Sequence, residues 1–596
     1  MSDARRGLLA IWVPWGSVLG LTILLLVYPI ELRGDPVPRF SPDLFPDLRL
    51  FGAVLYAWTA ALLALLWWRT PALAARWHGG ALVMLAGLVL RAFWNIKVPV
   101  QGQAYMHINA ARAWEALGHI KRHPAGSYFD WPGVSLVYSA VSQTTGLSSD
   151  WAAGALGVFI SVAMALAAYV LFLAILPTPR WAAIAAVLVV AGNPASIMYL
   201  TAGPMAIVLV VLFLVVLFHR DGLTPASRVA TALLLLAGTS VLHFHSAMHF
   251  FFFLGAVWCW QWLRRVQPAA ALQSTFVVTL VIFAIPLAWL MLWGFNAFVW
   301  VTRAGWTFLS YPLDLWAKLT GLYTVQQSNF GEVVPGWYRS TRLFWLGLLY
   351  VPGGLLWLLS LRRWRKLAFP EGELVAAFTG LAVLSLLSGL LSPRGFGELL
   401  RGLTYVPFLT VPVLLLFLHR LPRRGATAAV LALTAVVGAL ALPTFLANNH
   451  RASMLAPLRT EYAAGRWLAS MYGTGRGVQV FLTHPILGAV QRSLLEASFT
   501  TDREAESTGY ASESRWDALD RLLTAFAETS RAAPTAFFIH SPKIVVVSNL
   551  TYSIPVDDPR WARIAGRLSE RYPEVYTNGV AEVYAAVAAV LPSARR

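Results

Sequence analysis

Apolar runs of about the length of a bilayer crossing follow one another along most of the first 446 residues. A transmembrane helix needs about 20 predominantly apolar residues. About 13 segments meet that requirement, at approximately 8–28, 49–68, 80–96, 149–176, 181–198, 203–219, 228–246, 247–263, 272–293, 343–361, 372–391, 403–419 and 425–446. They predict helices, because a segment in lipid must satisfy its backbone hydrogen bonds internally. The longest polar interruption in the first 290 residues runs from Gln101 to Leu147. Within the loop 97–148, the spacing predicts a helix over 104–118, with His107, Ala111, Trp114 and Glu115 near one face. A second helix is predicted over 132–143, with Val134, Val137, Tyr138 and Val141 as its apolar stripe and Pro132 in its first turn. Loops of this length are either functional or disordered, and this one is too apolar for disorder.

From about Ala447 the pattern changes. Residues 457–471, 513–529 and 557–570 predict helices, and 478–484, 536–540 and 543–549 predict strands. VYTNGVAEVY, 575–584, predicts a β-hairpin turning at Asn578-Gly579. The expected fold class is therefore an all-α polytopic membrane domain over 1–446, followed by a small extracytoplasmic α/β domain over 447–596.

Composition agrees. The chain is 58% hydrophobic and only 12% charged, against about 45–50% and about 25% for soluble domains. The net charge of +18 would suggest nucleic acid for a soluble protein. Here the cations sit in every second connection, at Arg69 and Arg76, Arg180, Arg220 and Arg228, Arg264 and Arg265, Arg362 to Lys366, and Arg420 to Arg424. That is the distribution of cytoplasmic loops. No basic face interleaved with aromatics is present, so no nucleic-acid partner is expected. With Arg5 and Arg6 inside, an odd number of spans puts the C-terminal domain outside the plasma membrane. The N-terminal apolar run is too long for a signal peptide and reads as an uncleaved anchor. A single cysteine, Cys259, excludes an intrachain disulfide. Absent disulfides and Arg-rich inner loops suit a bacterial plasma membrane.

Ionisable groups at membrane depth are costly and mark functional candidates. Arg91 lies at the outer end of the third span, His243, His245 and His249 lie where the seventh and eighth meet, and Arg394, Glu398 and Arg401 lie before the twelfth. With His107, Glu115 and Asp130 they would line one outward-facing cavity. Guanidinium groups match phosphate oxygens, and a carboxylate or imidazole beside them can take a proton from an attacking hydroxyl. Each has a plainer reading. Arg91 can snorkel, Asp130 can cap a helix, and Glu398 and Arg401 can pair with each other. His245 and His249 have metal-ligand spacing, but no acidic third ligand is near them in sequence, so no metal is assigned.

AYMHINAARAWEALGHI (104–120), SYFDWPGVSLVYSAVSQTTGL (127–147), GELLRGLTYVPF (397–408) and the closing VYTNGVAEVY together resemble the polytopic GT-C glycosyltransferases, which use polyprenyl-phosphate-linked sugars. The layout matches over most of the chain from the third span on, and the motifs match over about a tenth of it. The resemblance implies a membrane glycosyltransferase that takes a lipid-linked sugar donor. Asp130, Glu115 or His107 would do the proton chemistry, and Arg91, His243, His245, Arg394, Glu398 and Arg401 would bind substrate. It leaves the cofactor unknown, a divalent cation included. One position departs from the pattern. The acid that usually opens the first loop helix is Gln103 here, and Gln is neither a base nor a strong metal ligand. The alternative is a catalytically inactive GT-C-fold subunit that binds lipid or glycan, or scaffolds other subunits of a membrane complex. A transporter is disfavoured, since no paired broken helices or inverted repeats are visible.

Overall fold

The computed structural model describes residues 12–23, 75–88, 132–147, 149–192, 202–219, 224–264, 336–363, 370–391, 404–440, 479–482, 498–500, 536–540, 546–547, 550–551, 559–572, 574–577 and 582–585, with isolated residues between them. Predicted spans 49–68 and 272–293 lie mostly outside these residues.

The other predicted spans coincide with helices. Trp12–Ile23 is the first. Then follow α1 (Ala75–Gly87), α2 (Gly133–Thr145) in the long loop, α3 (Ser149–Ile175), α4 (Pro179–Gly192), α5 (Ala202–Phe218), α6 (Pro225–Leu242), α7 (Phe244–Leu263), α8 (Gly336–Leu361), α9 (Glu371–Leu391), α10 (Val406–His419) and α11 (Arg423–Ala439). Among the described residues, Ala152–Ile175 and Pro225–Leu242 are long and apolar enough to cross a bilayer in full. One core runs through the bundle, from Leu82 and Phe172 through Val187 and Phe213 to Phe250, Leu381 and Phe408. The outer faces are apolar as well, with Phe159, Leu234, Val351, Leu355 and Leu359 exposed. A helix apolar all round belongs inside a large core or in lipid, and these faces are outside the core.

Small residues set the helix spacing, as they do where lipid is the solvent. A Cβ at Gly87 would lie 3.0 Å from Ala165 Cβ, so α1 and α3 cross closely. Gly380 does the same for α9 against the Phe252 carbonyl of α7. Gly353 does so for α8 against Thr410 of α10, whose hydroxyl donates to the Leu349 carbonyl at 2.7 Å.

The bundle has two distinguishable ends. At one, Trp181 of α4 meets His419 of α10 edge-on at 6.0 Å, and Arg420 pairs with Glu371 at the start of α9. Gly372 lies against Trp260 of α7, and Arg264 covers the same indole at 4.8 Å. At the other end α6 stops at Leu242, and one extended residue, His243 (φ −163°, ψ 101°), joins it to α7. The predicted break at 246/247 therefore falls at His243. The reason is local: His243 supplies the N-cap of α7, which continuous apolarity does not reveal. Likewise α8 starts at Gly336 rather than 343, because its first turns are polar.

In the tail, β1 (Gln479–Leu482), β2 (Ser498–Thr500), β3 (Ala536–His540), β6 (Glu574–Thr577) and β7 (Glu582–Ala585) form a sheet of order β2-β1-β3-β7-β6. β1 runs parallel to β2 and β3, and β7 runs antiparallel to β3 and β6. The predicted strand at 543–549 is present as β4 (Val546–Val547), which pairs with β5 (Leu550–Thr551) outside this sheet. The predicted hairpin at 575–584 pairs Thr577 with Glu582. Residues 578–581, Asn578-Gly579 among them, lie outside the described residues. α12 (Pro559–Arg571) buries Leu568, and Val583 and Tyr584 of β7 are buried. Predicted helices 457–471 and 513–529 lie largely outside the described residues.

Candidate functional site

The site is built where the long loop sits on the end of the bundle marked by His243. Both predicted loop helices contribute to it. In the first, Gly118 (φ 69°) ends the turn in a left-handed conformation that favours glycine, and its N–H reaches the Glu115 carbonyl at 3.3 Å. In the second, α2 is closed by Gly146 (φ 66°), whose N–H bonds the Ser142 carbonyl at 2.9 Å. A small separate core holds them down: Ile108, Ala111, Val134 and Tyr138 of the loop pack with Ala152, Leu156 and Ile160 of α3, Ala206 of α5 and Leu242 of α6.

His107 is buried in this seat. Burial away from water disfavours its charged form and pushes its pKa down to about 4. Glu115 was expected on the same face. It is exposed instead and accepts a hydrogen bond from Ser139 of α2, which ties the loop helices together on their outer side. The predicted stripe also shifts. Val134 and Tyr138 are buried, but Val137 is exposed and Ser135 is buried in its place. The Ser135 hydroxyl has no hydrogen-bond partner among the described residues. Val134, Tyr138 and Val141 still face the seat, and the covered strip extends to Ser135 rather than to Val137.

Pro132 takes the N-cap position of α2 and Gly133 follows it. Asp130 lies outside the described residues, and neither its capping nor its chemical reading is decided by them. A Cβ on Gly133 would lie 2.8 Å from Leu242 Cδ2 and 3.0 Å from the Val241 carbonyl. Glycine here lets the loop pack closely onto the last turn of α6, one residue from His243.

His243 heads a polar chain. Its Nδ1 accepts from the Ser246 N–H at 3.3 Å and lies 2.9 Å from Ser246 Oγ, and that Oγ accepts from the buried Tyr405 hydroxyl at 3.1 Å. Accepting at Nδ1 makes the neutral ring the Nε2–H tautomer. The His249 ring packs against Tyr405 with centroids 4.4 Å apart and the planes tilted by 49°. So three elements, α6, α7 and the start of α10, meet through His243, Ser246, His249 and Tyr405. The arrangement orients an imidazole and links the loop before α10 to the seat of α2. Among the described residues no group of three or more His, Cys, Asp or Glu side chains is placed to hold a metal ion.

The structure thus brings His243 and the α2 side of the loop, with its buried His107, to one end of the bundle, and sets Glu115 on the outer surface of the loop. Arg91, Asp130, Arg394, Glu398 and Arg401 lie outside the described residues, as does the His245 side chain. Ser246 and Tyr405 were not singled out from sequence. Tyr405 stands within the 397–408 motif but reads as one more aromatic in an apolar span, and a lone serine in a span carries no signal.

No family model matches the chain, and no curated protein sequence matches it. Among solved structures, it is similar to the crystal structure of ArnT from Cupriavidus metallidurans bound to undecaprenyl phosphate. The TM-score is 0.49 at 13% identity, over 85% of this chain and 98% of that one. It is also similar to the same protein in the apo state, with TM-score 0.46, 13% identity, and coverage of 85% and 96%.

Proposed function

We propose that this chain is a membrane glycosyltransferase of the GT-C kind, moving a sugar from a polyprenyl-phosphate donor to an extracytoplasmic acceptor. The observation that carries the proposal is the docking of the two-helix loop, through Gly133, beside the His243–Ser246–Tyr405 chain. Covalent geometry extends it. A chain spans at most about 3.3–3.6 Å per residue, so the Cα of Asp130 stays within about 11 Å of that of Gly133, and Arg401 within about 14 Å of Tyr405. Both distances allow a carboxylate and a guanidinium to reach the same end of the bundle.

In this reading the acceptor hydroxyl attacks the anomeric carbon of the donor, and the bond from that carbon to the phosphate oxygen breaks. Asp130 takes the hydroxyl proton, with Glu115 and His107 the other candidates. Polyprenyl phosphate leaves with the bonding electrons, its charge stabilised by Arg401, Arg394 or Arg91. The rest of the rate comes from positioning. The N-terminus is cytoplasmic, and 447–596 is a domain outside the plasma membrane. Purified protein given a labelled polyprenyl-phosphate sugar and a bacterial envelope extract as acceptor should transfer label. Asp130→Asn should reduce the rate by at least a hundredfold, and full activity in that variant removes Asp130 from the role.

Gln103 in the usual acid's position favours a second reading, an inactive subunit that binds lipid-linked sugar or scaffolds a complex. It predicts donor binding without transfer, together with stoichiometric co-purifying membrane partners.

A further inference from the structure

The opposite end of the bundle carries a feature that sugar transfer does not use. Each of two helices ends in exposed apolar side chains followed at once by cations. α7 closes with Trp262 and Leu263, 64% and 52% exposed, and then Arg264. α8 closes with Leu358 and Leu359, also exposed, and then the exposed Arg362 and Arg363, with exposed Lys366 one turn further. Both helices pack on α9: the Trp357 indole N–H of α8 donates to Thr379 of α9 at 3.1 Å. Gly372, at the start of α9 and the far side of the 362–370 connection, lies against Trp260, and Arg264 stands over that same indole at 4.8 Å. Exposed Arg424 follows Arg420, whose guanidinium is paired with Glu371. Cations therefore stand at this end of the bundle on α7, after α8 and on α11. The acidic side chains described beside them are Glu371, held by Arg420, and the buried Glu373.

Apolar side chains that stop where guanidinium groups begin mark the level at which acyl chains give way to phosphates. Arginine binds phosphate oxygens through its planar fork, and cations at the membrane surface attract anionic lipid. We propose that this end of the bundle binds anionic phospholipid headgroups, the phosphates held by Arg264, Arg362, Arg363 and Lys366 and the acyl chains lying along Trp262, Leu263, Leu358 and Leu359. The site is separate from the seat of the long loop and stands whether or not the chain transfers sugar.

The test is thermal unfolding of the full chain in a neutral detergent with added phosphatidylglycerol, phosphatidylcholine or inorganic phosphate. Phosphatidylglycerol should raise Tm more than phosphatidylcholine does, inorganic phosphate should not reproduce the rise, and 1 M salt should remove most of it by screening. In the variant R362Q/R363Q/K366Q at least half of the phosphatidylglycerol-specific rise should be lost, with Tm in its absence unchanged. If that variant does not purify folded, R363Q and K366Q read separately should each lose part of it. Equal rises with the two lipids, an equal rise with phosphate alone, or a full rise in the variants overturns the proposal.

Discussion

Gly133 determines how close the long loop comes to the bundle. A Cβ there would crowd the Val241 carbonyl and the Leu242 Cα, both backbone, at 3.0 and 3.1 Å. Overpacking of this kind costs about 1–3 kcal/mol, so Gly133→Val should lower Tm in detergent and make the 97–148 loop more sensitive to protease. Tyr405 can be dissected in two steps. Tyr405→Phe removes the hydroxyl that reaches Ser246 but keeps the ring packed against His249, a loss of about 1 kcal/mol. Tyr405→Ala removes the buried ring as well, at about 3–5 kcal/mol. His107 adds a pH dependence. Its folded-state pKa lies below the unfolded value, so the unfolded chain binds more protons between about pH 6.5 and about pH 4. Its contribution is fully present above about pH 6.5 and is lost as pH falls towards 4. Thermal unfolding followed across that range should show the loss, and His107→Gln should flatten it.

At the scale of the element, apolar run length located the spans, while caps decided where they end. α6 begins where Thr224 accepts the Ser227 N–H at 3.1 Å with Pro225 behind it, and α7 begins where His243 does the same for Ser246. Thr224→Ala should cost about 1 kcal/mol, measurable as a lower denaturation midpoint. The loop helices were legible because His107, Ala111 and Trp114, and then Val134, Tyr138 and Val141, recur at helical spacing. The facing of Val137 and Glu115 was not, since which side of a loop helix is covered depends on α3, α5 and α6, which lie elsewhere in the chain. Asn578-Gly579 signalled the antiparallel pairing of β6 with β7, whereas the pairing of β7 with β3 joins segments distant in sequence. The His243–Ser246–Tyr405 chain joins residues 159 apart, a separation no local pattern reports.

At the scale of the molecule, the described helices form a bundle with unlike ends. One holds Arg264, Arg362, Arg363, Arg420 and Arg424, and the other holds the loop seat, His243 and Tyr405. This polarity follows from the alternation of basic connections along the sequence, and it is what the proposed chemistry and the proposed lipid contact both require. Single cysteines in a Cys259→Ser background read it directly. Ser139→Cys, on the outer side of the loop, should react with a membrane-impermeant maleimide on intact spheroplasts. Lys366→Cys should react only after the membrane is opened. Labelling of position 366 on intact cells, with position 139 protected until permeabilisation, would contradict this account.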